Sequence, residues 1–373
     1  MTDTPVQPEA SATQRDPLRI SVAIVNYNGG DRLLNTVEAL VNQPYPLVEI
    51  IVFDNQSTDD APQRVKERFP QATIHDMGDN LGPAPARAAG IRAATGDFVL
   101  LLDNDVYVEE HTIAHLVEAY HTHSEPTVVC PRVRLVPETH LVQAEGADTH
   151  FLTMMVLRHA FAETDTLNDE PAEVNGAISA ALFVHRERTL EAGSFDELFS
   201  IYQEDLEFSI RLRLLGHRFV CEPKAVVHHD RGTLVGQTFR GDREKSKYPA
   251  RRGYLVMRHR LLCVFIHNRL RTLLVLSPVL LLYEFASLGI AMLRGFGWQY
   301  FRAWGFVWSN RKAIAERRRR MQRERVLRDR DLLIGGPIPL TPGFMKNKVA
   351  GAMITALSGI MNGYWFLARK AIA

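Results

Sequence analysis

The sequence predicts an α/β fold: a sheet with parallel strands, covered on both faces by helices, joined to a helical C-terminal region. Three observations predict it. Short β-branched runs alternate with helical apolar periodicity through the first hundred residues, which is the rhythm of strand–helix–strand units. Those runs end on acids, amides and turn formers, and ligands of such sheets bind beyond the carboxyl ends of the strands. After about residue 250 the chain changes to long apolar stretches bordered by Arg and Trp.

The elements follow in order. "RISVAIVNYN" (19–28) is a β-branched strand, and the segment after it opens with glycines and places Leu33, Leu34, Val37, Leu40 and Val41 at helical spacing. "VEIIVFDNQSTDD" (48–60) is a second buried strand ending in acids, followed by a short helix in "APQRVKERF". "ATIHDM" (72–77) is a third, weaker strand. "NLGPAPARAAGIRAATG" (80–96) is a glycine-proline loop running into an alanine-rich helix, and "DFVLLLDND" is the fourth strand. Further on, "DLEFSIRLRLLG" reads as an amphipathic helix closed by Gly216. "HRFVCEPKAVVHHD" reads as a strand running into two histidines.

Composition sets the outer limits. The chain has 373 residues, 46% of them apolar, and a formal net charge of +1. That suits one large domain with an appendage, or two domains, and argues against a disordered or uniformly basic protein. Cys130, Cys221 and Cys263 are far apart and form no CxxC pair, which suits a reducing compartment. Residues 1–18 are polar and contain proline, without the apolar core of a signal peptide. They read as a disordered leader, with the catalytic part expected in the cytoplasm.

Asn26, Asn28, Asp54, Asn55, Asp103 and Asp105 all fall at strand ends, where a ligand site is expected. Asp103-Asn104-Asp105 closes the greasiest strand. Two carboxylates one residue apart there suit a hard divalent cation that completes its shell with phosphate and water; the alternative is a solvated turn. Asp54 reads either as a hydrogen-bond acceptor for a base or ribose, or as a helix cap shared with Ser57 or Asp59. Glu204 and Asp205 open the helix after an aromatic-rich loop. They supply either dipole complementarity or a general base. His228 and His229 follow the last strand and are either metal ligands or surface histidines.

The set "SVAIVNYNGGDRLL…VEIIVFDNQSTDD…NLGPAPARAAGIRAATGDFVLLLDND…GSFDELFSIYQEDLEFSIRLRLLGHR…AVVHH" resembles the family 2 inverting glycosyltransferases of GT-A fold, closest to their rhamnosyltransferase-like branch. The resemblance spans roughly residues 19–235. It implies a Rossmann-like mixed sheet flanked by helices. It also implies a nucleoside-diphosphate sugar donor held by Asn26, Asn28, Asp54, Asn55, Asn80, Gly82, Arg87, Asp103 and Asn104. Mn²⁺ or Mg²⁺ would sit on Asp103 and Asp105, with His228 (His229 by a one-residue shift) completing the metal site. Asp205, with Glu204 in the family's Glu-Asp motif, would be the catalytic base. Where relatives often read NxGFAGARNxG, this chain has Pro83, Pro85 and Ala88. The prolines are expected to stiffen a loop beside the donor diphosphate, and Ala88 lacks an amide.

"TLLVLSPVLLLYEFASLGIAML" (272–293) is long enough to cross a bilayer, but both flanks are basic, which opposes a single span. Glu284 near its middle is costly in hydrocarbon, at about 2.5 kcal/mol or more. Ser277-Pro278 is expected to bend it. The reading is therefore a monotopic or peripheral anchor on the cytoplasmic face of the membrane, with a core helix of a soluble domain as the alternative. Residues 311–330 hold ten Lys or Arg and three acids, expected to face anionic lipid headgroups; no nucleic-acid module surrounds them. The expected organisation is a leader (1–18), a glycosyltransferase domain (19–250) and a membrane-associated helical region (251–373). Its acceptor would be a lipid-linked or growing cell-surface glycan. An inactive sugar-nucleotide scaffold and a processive polysaccharide synthase are the alternatives, although no QxxRW motif is present.

Overall fold

The computed structural model of the protein describes residues 17–230, 250–339 and 348–372; the expected leader lies almost wholly outside them. The first half contains β1 (Ile20–Asn26), α1 (Asp31–Val41), β2 (Glu49–Asp54), α2 (Ala61–Arg68), β3 (Ala72–Asp76), α3 (Pro83–Ala93), β4 (Phe98–Asp103), β5 (Val106–Val108) and α4 (Thr112–Thr122). Next come β6 (Val128–Leu135), β7 (Val142–Ala144), β8 (Ala147–His150), β9 (Met154–Leu157), β10 (Ala172–Val174), β11 (Ala181–His185) and α5 (Arg186–Glu191). They are followed by α6 (Glu204–Leu214), β12 (Phe219–His229), α7 (Ala250–His267), α8 (Leu270–Leu293), α9 (Gly297–Ser309) and α10 (Arg311–Glu324). Last are α11 (Asp329–Leu332), β13 (Leu333–Ile334) and α12 (Lys348–Ala368).

The main sheet has the order β10-β12-β6-β11-β4-β1-β2-β3. β3, β2, β1 and β4 are parallel. β11 then runs antiparallel to β4 and β6, and β12 parallel to β6, so the sheet is mixed and flanked by helices, as expected. Because β1 lies between β2 and β4, successive connections leave it in opposite directions, and the crevice they open lies above Asn26 and Asp103. Phe98 to Leu102 are each 3% exposed or less. A strand covered on both faces must be apolar throughout, which explains the "FVLLL" run.

Two expectations change in this part of the chain. Pro83 and Pro85 sit in the first turn of α3, where a missing N–H removes no helical hydrogen bond, and Ala88 faces the core. Neither proline is in a loop. Close packing of α3 requires Gly90, where an added Cβ would stand 2.7 Å from the Ala23 Cβ. Helix α6 is not amphipathic: Leu206, Phe208, Ile210, Leu212 and Leu214 are buried, and so are Glu207 and Arg213. Arg211 neutralises Glu207 with bonds of 2.8 and 3.1 Å. Gly216, at φ +92, does end the helix, with bonds from its N–H to Arg213 and from His217 N–H to Leu212.

The C-terminal helices share a core with α6. Phe199, Leu206, Ile210 and Leu214 pack with Leu262, Cys263 and Ile266 of α7 and with Ile314 and Met321 of α10. The basic segment is accordingly partly internal. Arg318 donates to the Phe265 and Asn268 carbonyls at 2.6 Å, and Arg325 to His267 at 2.9 Å, capping the open end of α7. Arg319, Arg320 and Arg323 remain exposed.

Helix α8 is long and apolar enough to cross a membrane, and little of it is buried. It continues as one helix through Pro278, where the Leu274 carbonyl, which a residue with an N–H at 278 would bond, accepts from Ser277 Oγ at 2.8 Å. Nor is Glu284 left bare. It accepts from Arg260 at 2.5 Å and from the Tyr300 hydroxyl at 2.8 Å.

Candidate active site

The crevice above β1 and β4 is built from side chains that bond one another across strand ends. Asn26 donates to Asp54 Oδ1 at 2.6 Å, and Asn104 donates to Asn26 Oδ1 at 2.7 Å. Asp54 also accepts from the Ser57 N–H at 2.9 Å and the Ser57 hydroxyl at 2.6 Å. Asn28 accepts from the Thr58 N–H at 2.7 Å. Asp54 does not cap α2, whose N-cap is Asp60; it organises the loop after β2. Asn55 is buried beside it. Asn80 is exposed. Gly82, at φ +93, lies against Ser200, whose carbonyl oxygen an added Cβ would approach to 2.7 Å.

Arg87 lies beneath the acids, 2% exposed. It donates to Asp103 and, at 3.1 Å, to Glu204 Oε1. Half of the charge at the end of β4 is thus offset by a side chain from α3. Asp105 faces His229 at 3.4 Å, and one ligand atom each of Asp103, Asp105 and His229 lie within 4.8 Å of one another. Two carboxylates and an imidazole are a donor set that suits Mn²⁺ or Mg²⁺. His229 Nδ1 bonds Gln143 Oε1 at 2.8 Å, an acceptor for Nδ1–H, which leaves Nε2, the nitrogen facing Asp105, as the one a metal would use.

His228 is not in this cluster. β12 pairs with β5 so that His228 stands opposite Tyr107 and His229 opposite Val106. Consecutive strand residues face opposite ways, and His228 bonds Glu109 at 2.8 Å instead. The primary expectation for the histidine is corrected by one residue.

Glu204 and Asp205 enter α6 through a turn in which Tyr202 and Gln203 have φ of 66° and 64°. Burial pushes both carboxyls above their ordinary range, with their mutual repulsion adding to the rise at Glu204 and Arg87 opposing it. Burial likewise raises Asp103 against Arg87. Glu204 is held by Arg87. Among the described residues no side chain bonds Asp205, which accepts from the Leu206 N–H at 2.8 Å. Of the pair, Asp205 is the one free to take a proton from a ligand.

Sequence reasoning missed the pairing of Arg87 with two acids and the partners Gln143 and Ser57. Spacing gives no signal for Gln143; Ser57 had been weighed only as a cap.

Residues 21–159 match the family model described as Glycosyl transferase family 2. Over those residues the chain is similar to the family 2 glycosyltransferases. The match holds Asn26, Asp54, Asp103 and Asp105 and ends before Glu204. The chain is similar to the amylovoran biosynthesis glycosyltransferase AmsB of Erwinia amylovora, 25% identical over 61% of this chain and 75% of that one. It is 32% identical to an uncharacterized glycosyltransferase of Nostoc over 28% of this chain and 34% of that one. To the Escherichia coli UDP-Glc:alpha-D-GlcNAc-diphosphoundecaprenol beta-1,3-glucosyltransferase WfaP it is 33% identical, over 24% of this chain and 36% of that one. The chain thus spans about a third of the length of the latter two relatives.

Proposed function

We propose that the protein transfers a sugar from a nucleoside diphosphate to a lipid-linked or growing cell-surface glycan, with inversion at the anomeric carbon. The observation that carries this reading is the juxtaposition of the Asp103–Asp105–His229 cluster with the Glu204–Asp205 pair, through Arg87. Asp54 and Asn28 bind the nucleoside, with Asn26 buried behind Asp54 and fixing it, and rhamnose from its dTDP donor is the first sugar to test. Mn²⁺ or Mg²⁺ on Asp103, Asp105 and His229 would neutralise the charge of the departing diphosphate. Asp205 takes the proton of the acceptor hydroxyl. The freed oxygen bonds to the anomeric carbon as the bond to the diphosphate breaks on the opposite side. Raised basicity at Asp205 suits that task, since burial makes it a better proton acceptor than an exposed aspartate.

A lipid-linked acceptor agrees with the apolar surface of the C-terminal helices. Leu274, Leu281, Phe285 and Leu293 of α8, Trp298 of α9 and Phe366 of α12 are all exposed. These helices form a monotopic anchor on the cytoplasmic face of the membrane, which sets the acceptor sugar at headgroup level. WfaP, by its name, acts on a sugar carried by diphosphoundecaprenol, an acceptor of this class.

Turnover of UDP-, dTDP- and GDP-sugars by detergent-solubilised protein tests the reading. Transfer or hydrolysis of one donor should fall about 100-fold or more in Asp205→Asn. Turnover unchanged in that variant removes Asp205 from the chemistry. No turnover by folded wild-type protein favours a scaffold with a degenerate site.

A further inference from the structure

Helix α7 lies outside the sheet, yet it touches the turn that leads into Glu204 and Asp205. His259 of α7 is fully buried, and its Nδ1 bonds the Tyr202 carbonyl oxygen at 2.6 Å. Its Nε2 accepts from Arg258 at 2.5 Å, and the same Arg258 nitrogen donates to the Leu198 carbonyl at 3.1 Å. The Phe199 ring lies 5.1 Å from the imidazole. Both ends of the segment 198–202 are therefore held by two consecutive residues of one helix. Helix α3 also holds the segment, by the Ala84 N–H, which donates to the Ser200 carbonyl at 3.0 Å.

The turn needs such a clamp. Tyr202 and Gln203 are consecutive residues in the left-handed region, a conformation that L residues hold only when their surroundings impose it. Released, the turn would relax, and the two carboxylates at its end would move. The imidazole is neutral in this setting: burial, aided by the Arg258 charge, pushes His259 down to about 4. A neutral ring with Nδ1–H facing Tyr202 and a bare Nε2 facing Arg258 matches both bonds.

We propose that His259, with Arg258, is a positioning residue for the catalytic carboxylate Asp205. The inference rests on the reading of Asp205 as the base. It also makes α7 a strut between the catalytic turn and the apolar helix, because the next residue, Arg260, pairs with Glu284 of α8. The C-terminal region would then be part of the active site's frame rather than a detachable anchor.

The test uses the full chain in detergent. His259→Phe removes both bonds at similar volume; His259→Asn keeps an N–H where Nδ1–H stood; His259→Gln places its amide on the Nε2 side. Turnover number, donor KM, donor affinity by calorimetry and thermal unfolding are read for each, beside Asp205→Asn. The turnover number should fall about tenfold or more in His259→Phe, which loses both bonds, with donor KM and affinity within about twofold of wild type, and His259→Asn should restore most of it. If the Phe variant does not fold, His259→Asn should still turn over faster than His259→Gln. Full turnover in His259→Phe, or equal rates for Asn and Gln, overturns the clamp while loss in Asp205→Asn leaves the proposed reaction standing. A fall in turnover matched by an equal loss of donor affinity also overturns it, since that is general damage. Activity surviving Asp205→Asn overturns both.

Discussion

Arg87 donates to Glu204 Oε1 at 3.1 Å, joining two residues 117 positions apart in the chain. Its other terminal nitrogen bonds Asp103, so one guanidinium from α3 ties the Asp103–Asp105–His229 cluster to the Glu204–Asp205 pair. Removing it leaves two poorly solvated carboxylates without their counter-charge. Arg87→Ala should cost about 3–5 kcal/mol of stability, the range for breaking a buried ion pair from one side. Denaturant unfolding measures this; a loss below about 1 kcal/mol would show that Arg87 does not offset those charges.

The histidine pair separates by strand parity. His229→Ala should weaken Mn²⁺ binding about tenfold or more, and Gln143→Ala should weaken it less, because it only loses the orientation of the ring. His228→Ala should leave the affinity within about twofold, since His228 is turned to Glu109. Titration with Mn²⁺ alone, followed by calorimetry or spin resonance, decides this without any turnover assay. Equal losses in the two histidine variants would contradict the assignment.

One pH limb follows from burial. Asp205 is raised, and a base works only when deprotonated, so the acid limb of kcat/KM should lie above the ordinary aspartate value of about 4. A limb at or below that value would contradict the burial of the base.

Glu207 behaves in the opposite way. Burial opposes its ionisation, but Arg211 and the nearby His267 outweigh burial and push it down to about 2. Its folded pKa therefore lies below its ordinary 4.5. The stability it contributes is complete above pH 4.5 and is lost as pH falls from there toward about 2. Unfolding free energies of wild type and Glu207→Gln across that window should converge as the pH drops. Divergence on acidification would reverse the sign and refute the pairing.

Membrane attachment should depend on the exposed apolar face of α8. The protein should float with vesicles of mixed anionic and zwitterionic lipid, and Leu281→Asp with Phe285→Asp should abolish this. Neutralising the exposed Arg319, Arg320 and Arg323 should reduce only the preference for anionic vesicles, by roughly 1 kcal/mol per charge. Flotation unchanged in the apolar double variant would place the contact elsewhere.

The strands and their ends were legible because a strand buried on both faces must be apolar, and its switch to polar residues marks where the backbone leaves the core. Asn26, Asp54, Asp103 and Asp105 were found that way. The pairing of Arg87 with acids contributed by β4 and α6 was not legible, since it depends on how α3 and α6 pack. The choice between His228 and His229 needed the register of β12 against β5. The apolar and charged residues of α6 suggested a single apolar face; a second one, Leu206, Ile210 and Leu214, is covered by α7 and α10, whose packing no local pattern announces. The arginine run concealed a similar division, with Arg318 and Arg325 closing the end of α7.

On the proposed reading the strand-end acids form a metal-dependent donor site. Calorimetric titration of the full chain with UDP-, dTDP- and GDP-sugars, in Mn²⁺, then in EDTA, then with Asp103→Ala, tests it most directly. Binding of one nucleotide that disappears both with chelation and in the folded variant is the expected result. Binding of no nucleotide by folded wild-type protein, or binding indifferent to metal and to Asp103, would contradict it.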